Sequence, residues 1–141
     1  MTVNEKQQEI IDEFALFDDW MDKYNYLIEL SRDLPEMDPK YKTEDNLIEG
    51  CQSKVWLHAE MDGDKLVFRA DSDAIITKGL VALLIQVLSG RKPEEIKNAD
   101  LYFIDEIGLR ENLSPTRSNG LLAMINKIKA YAMAYELKQN Q

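Results

Sequence analysis

One cysteine, one histidine and one arginine-bearing turn set the chemistry that this chain of 141 residues can attempt. Cys51 stands in Gly50-Cys51-Gln52-Ser53, just before the alternating run Lys54-Val55-Trp56-Leu57-His58-Ala59-Glu60. A thiol with no second thiol in its own chain is either inert packing or a reagent. Its neighbours point to a loop. Glycine serves backbone conformations that a β-carbon forbids, and Gln52 and Ser53 are polar, so a loop is expected here, from which a cysteine can present its sulfur to a partner.

Three chemistries compete for such a thiol. A cysteine hydrolase needs a base within hydrogen-bond reach, and the chain offers His58. A strand rising about 3.3 Å per residue carries His58 away from the loop, which leaves it as a partly exposed strand residue on the face of Trp56. A metal site needs three or four soft ligands, and one cysteine with one histidine do not supply them, so no metal is expected. A sulfur-handling role asks for less: an accessible thiolate, a shielded pocket and a docking surface.

Thiolate formation would be helped by a cation, and the turn Ser114-Pro115-Thr116-Arg117-Ser118-Asn119-Gly120 provides Arg117. Its alternative reading is an ordinary solvated arginine at a helix start. A positive charge there opposes the helix dipole by roughly 0.3–1 kcal/mol, a small conflict that asks for another reason to keep it. Gly50 would let the loop swing, and Gln52 and Ser53 either offer donors to developing charge or simply form the loop.

Composition narrows the partners. The chain carries 26 acidic and 17 basic residues, a formal charge of -9 that repels phosphate backbones, so nucleic acid is not expected as a partner. The longest uncharged apolar run, Gly79 to Ile85, falls far short of the roughly 20 residues that cross a bilayer, so no membrane role is expected. Hydrophobic residues make up 45%, enough for the core of one domain over residues 1–141. The start lacks the order of a secretory signal and the lone cysteine gives no disulfide framework, which points to a reducing cytoplasm.

The elements that must position Cys51 read as segregated helices and strands. Ile10, Phe14 and Phe17, then Trp20, Tyr24, Leu27 and Ile28, recur at helical spacing with a break at Asp18-Asp19, and Pro35 to Pro39 stops the second helix. After Cys51 the period becomes two. Asp62-Gly63 is expected as the centre of a hairpin turn, which sets Leu57 opposite Phe68, Ala59 opposite Leu66 and Glu60 opposite Lys65. Ile75 to Leu88, apolar nearly all round, is expected as a buried helix capped from Asp71-Ser72-Asp73. Pro93-Glu94-Glu95 starts a helical turn, and Leu101 to Ile104 fits a strand or a helix. Ser114-Pro115 opens a long C-terminal helix with a stripe of Leu121, Ile125, Ile128, Ala132 and Tyr135, leaving Lys127, Lys129 and Lys138 outside. Helices flanking a small antiparallel sheet make an α+β fold.

Three segments carry a resemblance: Ile48-Glu49-Gly50-Cys51-Gln52-Ser53-Lys54-Val55-Trp56-Leu57, then Ala70-Asp71-Ser72-Asp73-Ala74-Ile75-Ile76-Thr77-Lys78-Gly79-Leu80, then Leu113-Ser114-Pro115-Thr116-Arg117-Ser118-Asn119-Gly120-Leu121. In this order they resemble the SufE family of sulfur acceptors, and Trp20, Tyr24 and Leu34-Pro35 extend the likeness over nearly the whole chain. The resemblance implies an α+β fold shared with IscU-like iron-sulfur scaffolds. It also implies a carrier, not an enzyme, with no cofactor of its own. Such a carrier takes a persulfide from a pyridoxal-phosphate cysteine desulfurase of the SufS or CsdA kind, stimulates that enzyme, and passes sulfur to a scaffold. By motif position, Cys51 would be the persulfide acceptor and Arg117 the arginine associated with the desulfurase. Asp73 would sit near the acceptor loop and influence its mobility. Thr116 stands where the motif commonly has serine, which keeps the hydroxyl.

Two rival classes make different predictions. A hydrolase would turn over esters or amides alone. An interaction adaptor with a structural cysteine would bind its partners whether or not Cys51 is alkylated. Direct cluster assembly would need several cysteines.

Overall fold

The computed structural model describes residues 1–140. Helix α1, Val3–Phe14, opens on a reciprocal capping box between Thr2 and Glu5, and α2, Trp20–Asp33, is capped by Asp19, whose carboxylate accepts the Asp22 amide at 2.9 Å. It ends at Leu34, ahead of Pro35, at the expected stop. Strands β1, Val55–Asp62, and β2, Lys65–Ser72, form an antiparallel hairpin. Then follow α3, Ile75–Leu88, the short helices α4, Pro93–Asn98, α5, Phe103–Glu106, and α6, Leu109–Asn112, and the long α7, Pro115–Gln139. The ambiguous Leu101–Ile104 segment thus enters a helix.

The hairpin register differs from the expected one. Gly63 and Asp64 are the central turn residues, Gly63 with φ 62°, and Asp62 faces Lys65. Leu57 therefore lies opposite Ala70, Ala59 opposite Phe68 and Glu60 opposite Val67. A two-residue slip leaves every side chain on its own face, so the apolar alternation is satisfied by both registers and cannot choose between them. The observed turn gains the pair Met61–Leu66, which lengthens the apolar face.

Val55, Leu57, Ala59, Leu66, Phe68 and Ala70 turn one face of the hairpin inward onto a core shared with α3 and α7. Phe68 meets the Tyr131 ring at 6.4 Å, and the Tyr135 hydroxyl donates to the Ala59 carbonyl at 3.2 Å. On the other face, the 3-10 turn Pro39–Tyr41 lays Tyr41 against His58, rings stacked at 3.8 Å. Lys42 and Lys78 hold the Asp71 carboxylate at 2.6 and 3.2 Å. Burial alone would push that carboxyl up, but these hydrogen bonds and one from the Ser72 amide outweigh it and hold the group below the usual range.

Helices α2 and α3 approach backbone to backbone at Gly79. A β-carbon there would lie 2.4 Å from the Leu27 carbonyl oxygen. One expected surface lysine is also engaged: Lys129 is half-buried and donates to the Ala99 carbonyl, because α4 returns across α7 at that level.

Candidate functional site

Cys51 lies on a loop whose base is closed twice. The Ile48 amide donates to the Val55 carbonyl at 2.9 Å, making Leu47 and Ile48 a short extra rung on β1 that no local pattern announces. Lys54 then meets Asp73: its amide donates to Asp73 Oδ1 at 3.0 Å, and the Asp73 amide donates to the Lys54 carbonyl at 3.2 Å. Asp73 is thus spent on the loop, and α3 starts at Ala74 without a capping side chain, contrary to the expected cap from Asp71-Ser72-Asp73. Strand β2 runs on to Ser72 and consumes Asp71 in pairing with Trp56.

Gly50 has φ 92°, a region that side chains rarely enter, and a β-carbon on it would press to 3.3 Å from Ala123 Cβ. The loop therefore lies against α7. Here the thiol points inward. Cys51 Sγ is half-buried and donates a weak hydrogen bond to the Gly120 carbonyl at 3.5 Å. Burial pushes its pKa above the ordinary thiol value, so the resting group is the protonated thiol.

Beside the sulfur opens a cleft of about 620 Å³. The loop contributes Cys51, Gln52 and Ser53, the first turn of α3 contributes Ala74 to Thr77, and α7 contributes Ser114, Thr116, Arg117, Gly120 and Met124. Of the residues singled out in the sequence, Cys51, Gln52, Ser53 and Arg117 line this one space, while Gly50 and Asp73 brace the loop at its two ends. Arg117 is exposed, its amide capped by Ser114 Oγ at 3.2 Å, and its guanidinium makes no ion pair among the described residues. Thr77, Ile75, Ile76 and Met124 were not anticipated in the site. Thr77 is the first polar side chain in the apolar run Ile75 to Leu88, and that was the available signal.

Arg117 is placed from a distance. The Tyr24 hydroxyl of α2 donates to the Asn112 carbonyl, and Trp20 lies against Gly108, so the α6 turn that delivers Ser114 is anchored to α2. Among the described residues no cluster of three or more His, Cys, Asp or Glu side chains is placed to hold a metal, and no helix is long and apolar enough to cross a membrane.

Comparison with known proteins gives the same family as the motifs. The structure resembles the solution structure of a hypothetical protein from Thermus thermophilus, with a TM-score of 0.75 over 92% of this chain and 94% of that one; at 24% identity this is a likeness of fold. Uncharacterized SufE-like proteins of Rhizobium meliloti and Rhizobium etli are 45% and 44% identical over 129 residues, 88% of this chain and 92% and 87% of theirs. A chloroplastic/mitochondrial SufE-like protein 1 of Arabidopsis thaliana is 40% identical over 94% of this chain, which spans 36% of that longer protein. A family model described as SufE, Fe-S metabolism associated domain, matches residues 8–132. With the fold, the cysteine loop and the arginine turn in place, this chain belongs to the SufE family.

Proposed function

We propose that the chain is a sulfur carrier for iron-sulfur cluster assembly, with Cys51 as its persulfide acceptor. The observation that carries the reading is the convergence of the sole cysteine and the exposed Arg117 on one cleft, with the loop braced by Asp73 at its base. The donor is a pyridoxal-phosphate cysteine desulfurase of the SufS or CsdA kind, and the recipient is an iron-sulfur scaffold. The Cys51 thiolate attacks the outer sulfur of the donor's persulfide. The new S–S bond forms on Cys51, the donor's S–S bond breaks, and the electron pair leaves with the donor thiolate. No net oxidation occurs and no cofactor is consumed, so the chain acts as a transfer partner and stimulator rather than as an enzyme. Single-domain action in the cytoplasm completes the reading.

Because the resting thiol is turned inward and protonated, docking must release it from Gly120 before it can attack. Arg117 is the group proposed to engage the desulfurase, being an exposed cation at the cleft mouth of an acidic chain. Gln52 and Ser53 line the path of the moving sulfur.

The test is intact-mass and peptide mass spectrometry after incubation with a cysteine desulfurase and free cysteine, without reductant. One added sulfur on the Cys51 peptide, removed by a thiol and absent in Cys51→Ser, is the expected result. No added sulfur beside an active cognate desulfurase would leave the adaptor reading, in which the inward thiol is structural and partner binding survives alkylation of Cys51.

A further inference from the structure

Two helix N-termini meet at the Cys51 cleft, and they are finished differently. That of α7 is capped by Ser114. That of α3 is not: the first intrahelical bond runs from the Lys78 amide to the Ala74 carbonyl, and Ala74 has no side chain to accept the amides of the first turn. Better caps stand next to it, but Ser72 Oγ accepts the Ala74 amide at 3.2 Å and Asp73 is held by Lys54. Ala74, Ile75, Ile76 and Thr77 all line the cleft. A local rule is broken at the site, the kind of place where function is expected to be the reason.

A second observation is independent of the helix end. Thr77 is only 8% exposed, and its hydroxyl enters none of the side-chain hydrogen bonds among the described residues. No side-chain polar atom among those residues is both sealed from solvent and unpartnered, so this hydroxyl, on a residue that lines the cleft, keeps some access to solvent. Among the described residues of the lining, Arg117 is the one that carries a charge. Around it, Glu49 and Lys54 lie on the loop, the Asp73 carboxylate is bonded to the Lys54 amide, and Lys78 is paired with Asp71. The cleft thus gathers donors without an anionic acceptor on a chain whose net charge is -9.

We propose that the anion these donors await is the terminal sulfur of a Cys51 persulfide, held as the perthiolate by the first-turn amides of α3, the Thr77 hydroxyl and Arg117. This rests on the carrier reading above and adds how the loaded state is kept. The bare thiol donates to the Gly120 carbonyl, a partner that suits the protonated form. An added sulfur lengthens the side chain by about 2.0 Å, which takes the ionising atom away from that carbonyl and into the donor-lined space. The perthiol proton passes to solvent. As an anion the terminal sulfur repels stray thiolates, so the cargo is retained until a partner displaces the loop.

The full-length chain is loaded with inorganic polysulfide, whose sulfane sulfur is attacked by the Cys51 thiolate with release of a polysulfide one sulfur shorter. The perthiolate is then titrated by its near-ultraviolet absorbance, folded and in urea, in the wild type and in Thr77→Val and Thr77→Ser. The folded wild type should ionise at lower pH than the unfolded chain. Thr77→Val should raise that pKa by about one unit, the size of one hydrogen bond to a charged group, and Thr77→Ser should restore it. Folded persulfide ionising at or above the unfolded value overturns the proposal, even if the valine variant does not fold. So does a folded valine variant indistinguishable from wild type. Loading is chemical, so these outcomes are separate from whether a desulfurase delivers sulfur.

Discussion

Asp73 and Lys54 are tied to each other twice, once backbone to backbone at 3.2 Å and once from the Lys54 amide to the Asp73 carboxylate at 3.0 Å, and the cysteine loop is fastened by this pair. The tie is solvent-facing. Asp73→Ala should therefore cost only about 1 kcal/mol of stability while freeing the loop base. Cys51 should then alkylate several-fold faster with iodoacetamide at neutral pH. An unchanged rate in a folded variant would show that the carboxylate does not restrain the loop.

Cys51 predicts a pH dependence with a definite sign. Its pKa is raised in the folded state by burial, so the folded chain holds the proton more tightly than the unfolded one. The stability this contributes is fully present below the unfolded thiol's pKa and is lost as pH rises through the folded one. The difference in denaturation midpoint between wild type and Cys51→Ala should therefore stay constant from pH 6 to about pH 8, and above that the wild type should lose ground to the variant. In parallel, alkylation of the native thiol should set in at higher pH than alkylation in urea.

Arg117→Ala separates docking from folding. The arginine is exposed and placed at the third position of α7, where its charge opposes the dipole. Stability should stay equal or rise by about 0.3 kcal/mol. Desulfurase stimulation should need more of the variant to reach half-saturation, and unchanged half-saturation and maximum would remove Arg117 from the interface.

Gly79→Ala tests the frame rather than the site. The new methyl would sit 2.4 Å from the Leu27 carbonyl oxygen, a backbone atom that cannot rotate away, so α2 and α3 must part. Overpacking of this kind costs about 1–3 kcal/mol, read as a lower urea midpoint at constant slope. A midpoint equal to wild type would mean that the helices slide freely at this crossing.

Much of this frame is legible in the chain because its signals are local. The period of Ile10 to Ile28, the Pro35 stop and the Ser114-Pro115 start each involve residues within one or two turns, and the helices form there, except that α1 ends at Phe14 and leaves Phe17, counted into its stripe, beyond its end. The hairpin is legible as a hairpin, but its register is not, since both registers bury the same side chains. The start of α3 misleads for a different reason: Ser72 and Asp73 look like caps, yet Ser72 bonds the Ala74 amide short of the helix and Lys54 claims Asp73. Four-residue helices such as α5 and α6 leave too little pattern to read. In the site, Cys51 and Arg117 stand out by rarity and by motif, whereas the inward turn of the thiol depends on a carbonyl 69 residues away. Thr77 is hidden because an apolar run draws attention away from its one small hydroxyl.

The hydrogen bond from Tyr24 to the Asn112 carbonyl, and the close packing of Gly79 on Leu27, separate the stretch of chain that lines the cleft from the stretch that gives it shape. Every residue lining the cleft falls between Cys51 and Met124, yet two of its walls lean on the second helix. A fragment that began at Met37 would retain the complete inventory of reactive groups and donors without the brace that sets their spacing. Inheritance of the motifs alone, as in a gene fusion or a trimmed paralogue, is therefore no guarantee of an intact cleft; the second helix ahead of them has to travel along.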